Sequence, residues 1–398
     1  MRLNRNLDAY FAQFGGRIFT WGALTAAFFM VTLFILFAPN FTDFDRTVEP
    51  LNHKDLLAFV RAGEMAVNGD QVAAYDASQF QAGLPEGNNG HLWLYPPTAF
   101  FAVVPLFLAP FGVVKTGWIF VTLLAALLVA RLSGPRKPLN AVAITLSPGT
   151  FCALFIFQVG GIVAAALSLA FSQAQKRPIL AGVALGLLTI KPQYGLMAPV
   201  FLIATRNWIC VFSAAVTAIV LAASSLAVFG ADAWAAFFAS IGTSHASLAS
   251  LAQQGGVSAS QLAIKLGGGA AAALTAQGIA VVMGVASVAL ASRRLNHDGL
   301  VAVTLYASLA AAPSAWIYDW PLVAASLAFY AAAKPVWDVK FQLAALLLWI
   351  AVLPAMFGIG GDRSLYAPLA LFLGLIGMLA ALLRTPKLTE AIPVPTPA

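Results

Sequence analysis

Three short stretches of this sequence carry residue types that do chemistry. Asp55 follows His53 and Lys54 and opens a stretch with apolar residues at helical spacing, Leu56, Leu57, Val60, Gly63, Met65 and Val67. A carboxylate there can take a proton from a hydroxyl as a general base; the same residue also suits a helix N-terminus, whose dipole favours an acid. Lys191 stands in Thr189-Ile190-Lys191-Pro192-Gln193-Tyr194, after an apolar run and before a proline, with no other basic residue between Arg177 and Arg206. An ammonium beside a proline-broken apolar segment can hold an anion, or it can snorkel to a polar boundary. In the third stretch, Ala312 to Pro321, Trp316, Tyr318 and Trp320 surround Asp319 between two prolines. It reads as an amphipathic binding cluster or as part of an aromatic belt.

Two further features belong with these. Tyr95-Pro96-Pro97 is rigid, and Gln158 is a lone amide in apolar sequence, able to bridge helices by hydrogen bonding. His91, His245 and His297 are scattered without metal-ligand spacing, and no carboxylate cluster calls for a metal. The Gly267–Gly269 run lacks the context of a phosphate loop. Cys152 and Cys210 lie inside apolar runs and read as small buried hydrophobes.

The elements that must position these residues are membrane helices. The chain has 398 residues, 61% hydrophobic and 9% charged, where soluble domains average about 25% charged. With a mean hydropathy of +0.86, lipid must solvate much of the surface. The net charge of +7 therefore speaks to topology rather than to nucleic acid. The sequence predicts one all-α integral membrane domain over residues 1–384, of about twelve spans: 17–38, 116–132, 139–157, 158–174, 178–190, 192–205, 207–229, 270–292, 298–312, 320–333, 340–357 and 364–384. The stretch 97–112, with Pro96, Pro97, Pro105 and Pro110 in or beside it, is a poor continuous helix and is expected at the interface or re-entrant. Residues 39–95 form a first outer loop with a helix lying on the membrane over 53–68. Residues 230–268 form a second, and the proline-rich tail 385–398 is expected to be disordered and cytoplasmic.

One orientation fits the whole chain. With the N-terminal Arg2 and Arg5 cytoplasmic, Arg131, Arg136, Lys137, Lys176, Arg177, Arg206, Arg293, Arg294, Lys334, Lys340, Arg384 and Lys387 all fall inside, as basic turns do. The opposite face keeps Asp43, Asp45, Glu49, Asp55, Glu64, Asp70, Asp76, Glu86, Asp232, Asp319 and Asp362. The expected location is a plasma (inner) membrane, with the chemistry on the periplasmic or extracellular face.

Asp55, Ala62-Gly63, Asn68-Gly69, Tyr75-Asp76 and Tyr95-Pro96-Pro97, in that order, resemble the first outer loop of glycosyltransferase family 87, the polyprenol-phosphate-mannose-dependent alpha-mannosyltransferases and their bacterial relatives. Gln158, then Gly182 and Gly186 before Lys191, then Pro313-Ser314 before Trp316 continue the resemblance, which spans about residues 50–320. It implies a type-C glycosyltransferase bundle with interfacial helices in the first outer loop. It also implies transfer of mannose or another hexose or pentose from a polyprenyl-phosphate donor to a lipid or glycan acceptor, with inversion. Asp55 matches the family's catalytic aspartate and is the expected general base; Lys191 is the expected contact for the donor phosphate. Tyr95, Gln158, Trp316, Tyr318, Asp319 and Trp320 are expected at the substrate, the aromatic rings stacking on sugar and Asp319 binding hydroxyls or standing in as base. No cofactor, metal or nucleic acid is expected; membrane lipids are. Relatives often have Gly where this chain has Phe157, and His after the last tryptophan where it has Tyr318 and Asp319. The main alternative is a secondary transporter or flippase, which also breaks helices around charges, although no internal repeat is visible. A binding protein without catalysis is the third.

Overall fold

A computed structural model describes residues 54–84, 91–134, 145–251, 255–334, 337–357 and 364–387, with isolated positions between 19 and 32, residue 142 and residue 359. The expected first span is therefore described only at those isolated positions. Arg2, Arg5, Asp43, Asp45, Glu49, His53, Glu86, Arg136, Lys137, Asp362 and the tail from 388 onward lie outside the described residues, as does the side chain of His245.

Among the described residues the protein is all helical, with a single isolated bridge between Gly256 and Trp316. The helices are α1 Lys54–Val67, α2 Ala77–Ala82, α3 Phe100–Leu108, α4 Phe111–Ser133, α5 Pro148–Ile156, α6 Gly160–Gln173, α7 Pro178–Leu187, α8 Ala198–Thr205 and α9 Trp208–Phe229. They continue as α10 Ala231–Leu251, α11 Ala259–Lys265, α12 Ala270–Arg294, α13 His297–Ala310, α14 Pro321–Ala333, α15 Val339–Ile350, α16 Leu353–Met356 and α17 Tyr366–Arg384.

Five of these stretches are long and apolar enough to cross a membrane: Phe111–Ser133, Trp208–Phe229, Ala270–Arg294, Val339–Met356 and Tyr366–Arg384. They form the outside. On α9, Ile209, Phe212, Ile219 and Val228 are each at least 60% exposed. So wide an apolar band is stable only against lipid. Two of the short apolar helices, α13 and α14, are inside. Every residue of α13 from Gly299 to Ala310 is buried, as is every residue of α14 from Pro321 to Phe329. A helix wrapped by protein does not need the full span length that lipid demands.

The expected all-α membrane architecture is thus present, and among the described residues five of the about twelve expected spans are long enough to cross on their own. Prolines account for much of the difference. The stretch 192–205 is a 3₁₀ turn at Pro192–Gly195 followed by the short α8, and the expected 139–157 segment contributes α5, which starts at Pro148. The loop expected over 230–268 is largely helical, as α10 and α11. The stretch 97–112 is a 3₁₀ turn at Pro97–Ala99 and then α3, which contains Pro105 and packs on α1.

Candidate active site

Each chemical residue sits where its local sequence breaks regular structure. Asp55 lies in the first turn of α1. Tyr95 precedes Pro96, which disfavours helix at Tyr95, and the Tyr75 hydroxyl donates to its carbonyl at 3.0 Å. Gln158 follows Phe157, which caps α5 at φ 59°, ψ 44°. That is the left-handed region, where a bulky residue is strained by about 1–2 kcal/mol and glycine is at ease. Phe157 is fully buried beside Leu56, Leu57, Val60, Phe111 and Val114, so packing holds a conformation that the side chain itself disfavours. Lys191 joins two 3₁₀ turns, Leu188–Ile190 and Pro192–Gly195; the following proline keeps it out of helix.

These breaks converge. The Gln158 side-chain amide donates to Asp55 Oδ2 at 2.8 Å, and the Tyr95 hydroxyl donates to Gln158 Oε1 at 3.3 Å. Lys191 Nζ lies 3.2 Å from Asp319 Oδ1, and 5.7, 5.7 and 4.9 Å from the ring centres of Tyr95, Tyr194 and Tyr318. Rings this close attract a cation. Asp319 Oδ2 accepts from the Tyr194 hydroxyl and, at 3.1 Å, from the Trp316 backbone N–H. An unbroken polar chain therefore runs from Asp55 through Gln158 and Tyr95 to Lys191 and Asp319. Burial pushes the Asp55 carboxyl above its ordinary 3.8, while His91, Gln158 and Lys191 pull it back down.

The supporting shell comes from far along the chain. Val257 N–H donates to the Ala315 carbonyl at 2.8 Å and Ile317 N–H to Gly255 at 3.0 Å, so the segment before α11 holds the Asp319 turn. On the other side α6 approaches closely: a Cβ on Gly160 would stand 1.9 Å from the Tyr318 carbonyl oxygen. Gly182 and Gly186 do the same for α7 against α9, where side chains would meet Ser213 and Thr217 at 2.5 and 2.4 Å. That contact fixes the direction in which α7 delivers Lys191.

Two sequence-based expectations give way here. Trp320 is fully buried and donates its indole N–H to the Leu348 carbonyl at 3.1 Å, so it has no face to offer a sugar. Asp319 is also fully buried, with both oxygens taken; it holds Lys191 and the turn rather than presenting itself to substrate hydroxyls. Lys191, only 6% exposed at its side chain, is likewise paired already. Trp316 and Tyr318 are half-buried and stacked, with rings 6.1 Å apart and 7° from parallel. Tyr95 is packed against Phe59 and Trp93.

Sequence reasoning overlooked three residues. Tyr194 completes the Asp319 cluster, and its signal was a hydroxyl three positions after Lys191. His91 was passed over for lacking metal spacing, yet its Nδ1 lies 3.4 Å from Asp55 Oδ1. Lys115 is fully buried one turn into α4; a charge inside an apolar helix is itself the signal.

Residues 93–317, more than half of the chain, match the family model described as glycosyltransferase family 87. No curated protein and no solved structure matches the chain.

Proposed function

Since the chain belongs to glycosyltransferase family 87, and is therefore a membrane glycosyltransferase, we propose that it moves a sugar from a polyprenyl-phosphate donor to a lipid or glycan hydroxyl. The observation that carries this reading is the convergence of Asp55 and Lys191, 136 positions apart in sequence, on the two sides of Tyr95 and Gln158. A transfer from a phosphate leaving group to a hydroxyl needs a base on one side of the sugar and a cation on the other.

Asp55 takes the proton of the acceptor hydroxyl while that oxygen attacks the anomeric carbon from the face opposite the phosphate, which inverts the centre. A raised carboxyl is a better proton acceptor, and a positioned base contributes about 10²–10⁴-fold. The phosphate leaves toward Lys191. One cation at about 4 Å in an effective dielectric of 20 attracts a unit charge by on the order of 4 kcal/mol. Because Lys191 is held by Asp319, the phosphate shares an ammonium that still has donors to give, and only the share that grows in the transition state speeds the reaction. Trp316 and Tyr318 offer a stacked aromatic face for the sugar ring. The non-cytoplasmic face is the proposed side for the site; the basic turns at the opposite end of the bundle, which favour the cytoplasm, support that reading.

The test is transfer of a labelled sugar from a polyprenyl-phosphate donor in detergent. Asp55→Asn should lower kcat by at least about 10²-fold with donor binding retained. Turnover at the wild-type level in that variant removes Asp55 from the base role, and an active wild type that ignores every polyprenyl-phosphate sugar removes the donor assignment.

A further inference from the structure

Once Asp55 has taken a proton it must lose it before the next turnover. Among the described residues one side chain able to accept a proton faces it. Oδ2 is occupied by the Gln158 amide, which Tyr95 anchors in turn, and an amide N–H cannot accept a proton. Oδ1 faces the Nδ1 of His91 at 3.4 Å. The Asp55 side chain is 15% exposed and that of His91 24%, so the imidazole is the more open of the two to the outside. The distance is longer than a well-formed hydrogen bond, as catalytic contacts in unliganded sites commonly are.

His91 is held there by a chain of local structure. Asp76 accepts from the Gln79 backbone N–H at 3.0 Å and so caps α2. Gln81 on α2 donates its side-chain amide to the His91 carbonyl at 3.1 Å. Two residues on, Trp93 is fully buried against Phe59, Phe80 and Phe100. The His91 carbonyl and the segment after it are thus fixed to α2 and to the core.

We propose that His91 is the proton relay of this active site, carrying the acceptor's proton from Asp55 to solvent. The inference rests on the reading of Asp55 as the base. The acceptor O–H bond breaks and its proton goes to Asp55 Oδ1, while the oxygen bonds the anomeric carbon and the phosphate departs with its bonding pair. The Oδ1 proton then passes to Nδ1 of neutral His91, and the imidazolium releases its Nε2 proton to water. The net result is one proton delivered outside, with Asp55 again a carboxylate, and exchange of the remaining Nδ1 proton for one on Nε2 through water returns His91 to the tautomer that accepts the next. Histidine suits the task because its ordinary pKa lets it accept and release a proton near neutrality. His91 acts through Asp55 and is a positioning and relay residue rather than one that touches the sugar.

The experiment compares wild type, Asp55→Asn, His91→Ala and His91→Gln in the same transfer assay. In both His91 variants kcat should fall by about 10²-fold, with the KM for the donor unchanged. Added imidazole should restore a large part of the kcat of His91→Ala and none of that of Asp55→Asn. Wild-type kcat in His91→Ala, or a loss that imidazole does not relieve, overturns the relay. Because Asp55→Asn is measured alongside, loss of the relay with an intact Asp55 requirement stays distinct from failure of the base assignment itself.

Discussion

Lys191 and Asp319 form a pair with almost no contact with water, and that burial decides how each behaves on substitution. Removing one partner of a buried pair leaves the other charge uncompensated, at a cost of about 3–5 kcal/mol. Lys191→Met should therefore lower the thermal midpoint in detergent substantially, because Asp319 then keeps only the Tyr194 and Trp316 donors. The double variant Lys191→Met with Asp319→Asn should regain much of that stability without regaining transfer, since no cation remains for the phosphate. Equal midpoints for the single and double variants would show the pair to be uncoupled. The same geometry makes Asp319 a holder rather than a ligand. A fully buried carboxylate with both oxygens occupied has nothing left to offer a sugar, whereas Asp55 retains an exposed edge.

At the level of elements, the site is an assembly of ends. The first turn of α1, the left-handed exit of α5, the break after α7 and the 3₁₀ turn Ile317–Asp319 each contribute one residue. None carries the chemistry alone, so the contacts between helices set the geometry. Gly160 is the tightest of these. Gly160→Ala drives a methyl group into the Tyr318 carbonyl, and overpacking of this kind costs about 1–3 kcal/mol. The expected outcome is a displaced Asp319 turn and a loss of transfer activity that exceeds the loss of stability. Gly117→Ala on α4, where a Cβ meets nothing within 4 Å, is the matched control and should be silent. Wild-type turnover in Gly160→Ala would show that the approach of α6 to this turn does not matter for function.

Across the whole molecule, charge is sorted by end. The Asn207 side chain donates to the Ala174 carbonyl, His297 contacts Ser172 at 3.2 Å, and Arg294 donates to the Leu383 and Thr385 carbonyls at 2.9 and 2.8 Å. These contacts bring Lys176, Arg177, Arg206, Arg293, Arg294 and Arg384 to one end. Helix direction adds Arg131 and Lys334, since α4 and α14 start beside the site and run away from it. The opposite end carries the site with Glu64, Asp70, Asp76 and Asp232, although Arg61, Lys115, Lys191 and Lys265 lie toward it as well, and Asp298 and Asp338 lie at the basic end. Both native cysteines are buried, so introduced thiols report cleanly. A cysteine at the exposed Asp70 should react with an impermeant reagent added outside the cell, and one at the exposed Lys176 only after the membrane is opened. Labelling of both from one side would refute the orientation.

The amino-acid sequence by itself determined that this is an all-helical membrane protein and where the helices break, and it singled out Asp55, Lys191 and the Trp316–Asp319 stretch as the residues to which the proposed chemistry is assigned. Those properties follow from local physics: apolar run length, proline, and the cost of charge in lipid. Only the tertiary structure decided which side chains are partners. Asp319 is paired with Lys191, Trp320 is buried in the core, and His91, which looked idle in sequence, stands beside Asp55. It also decided which apolar helices are inside. The short α14 and the long α9 are close in hydrophobicity, yet α14 is enclosed by protein and α9 faces lipid. Hydrophobicity measures the transfer out of water and is the same toward lipid as toward protein, so only packing complementarity between distant segments distinguishes the two.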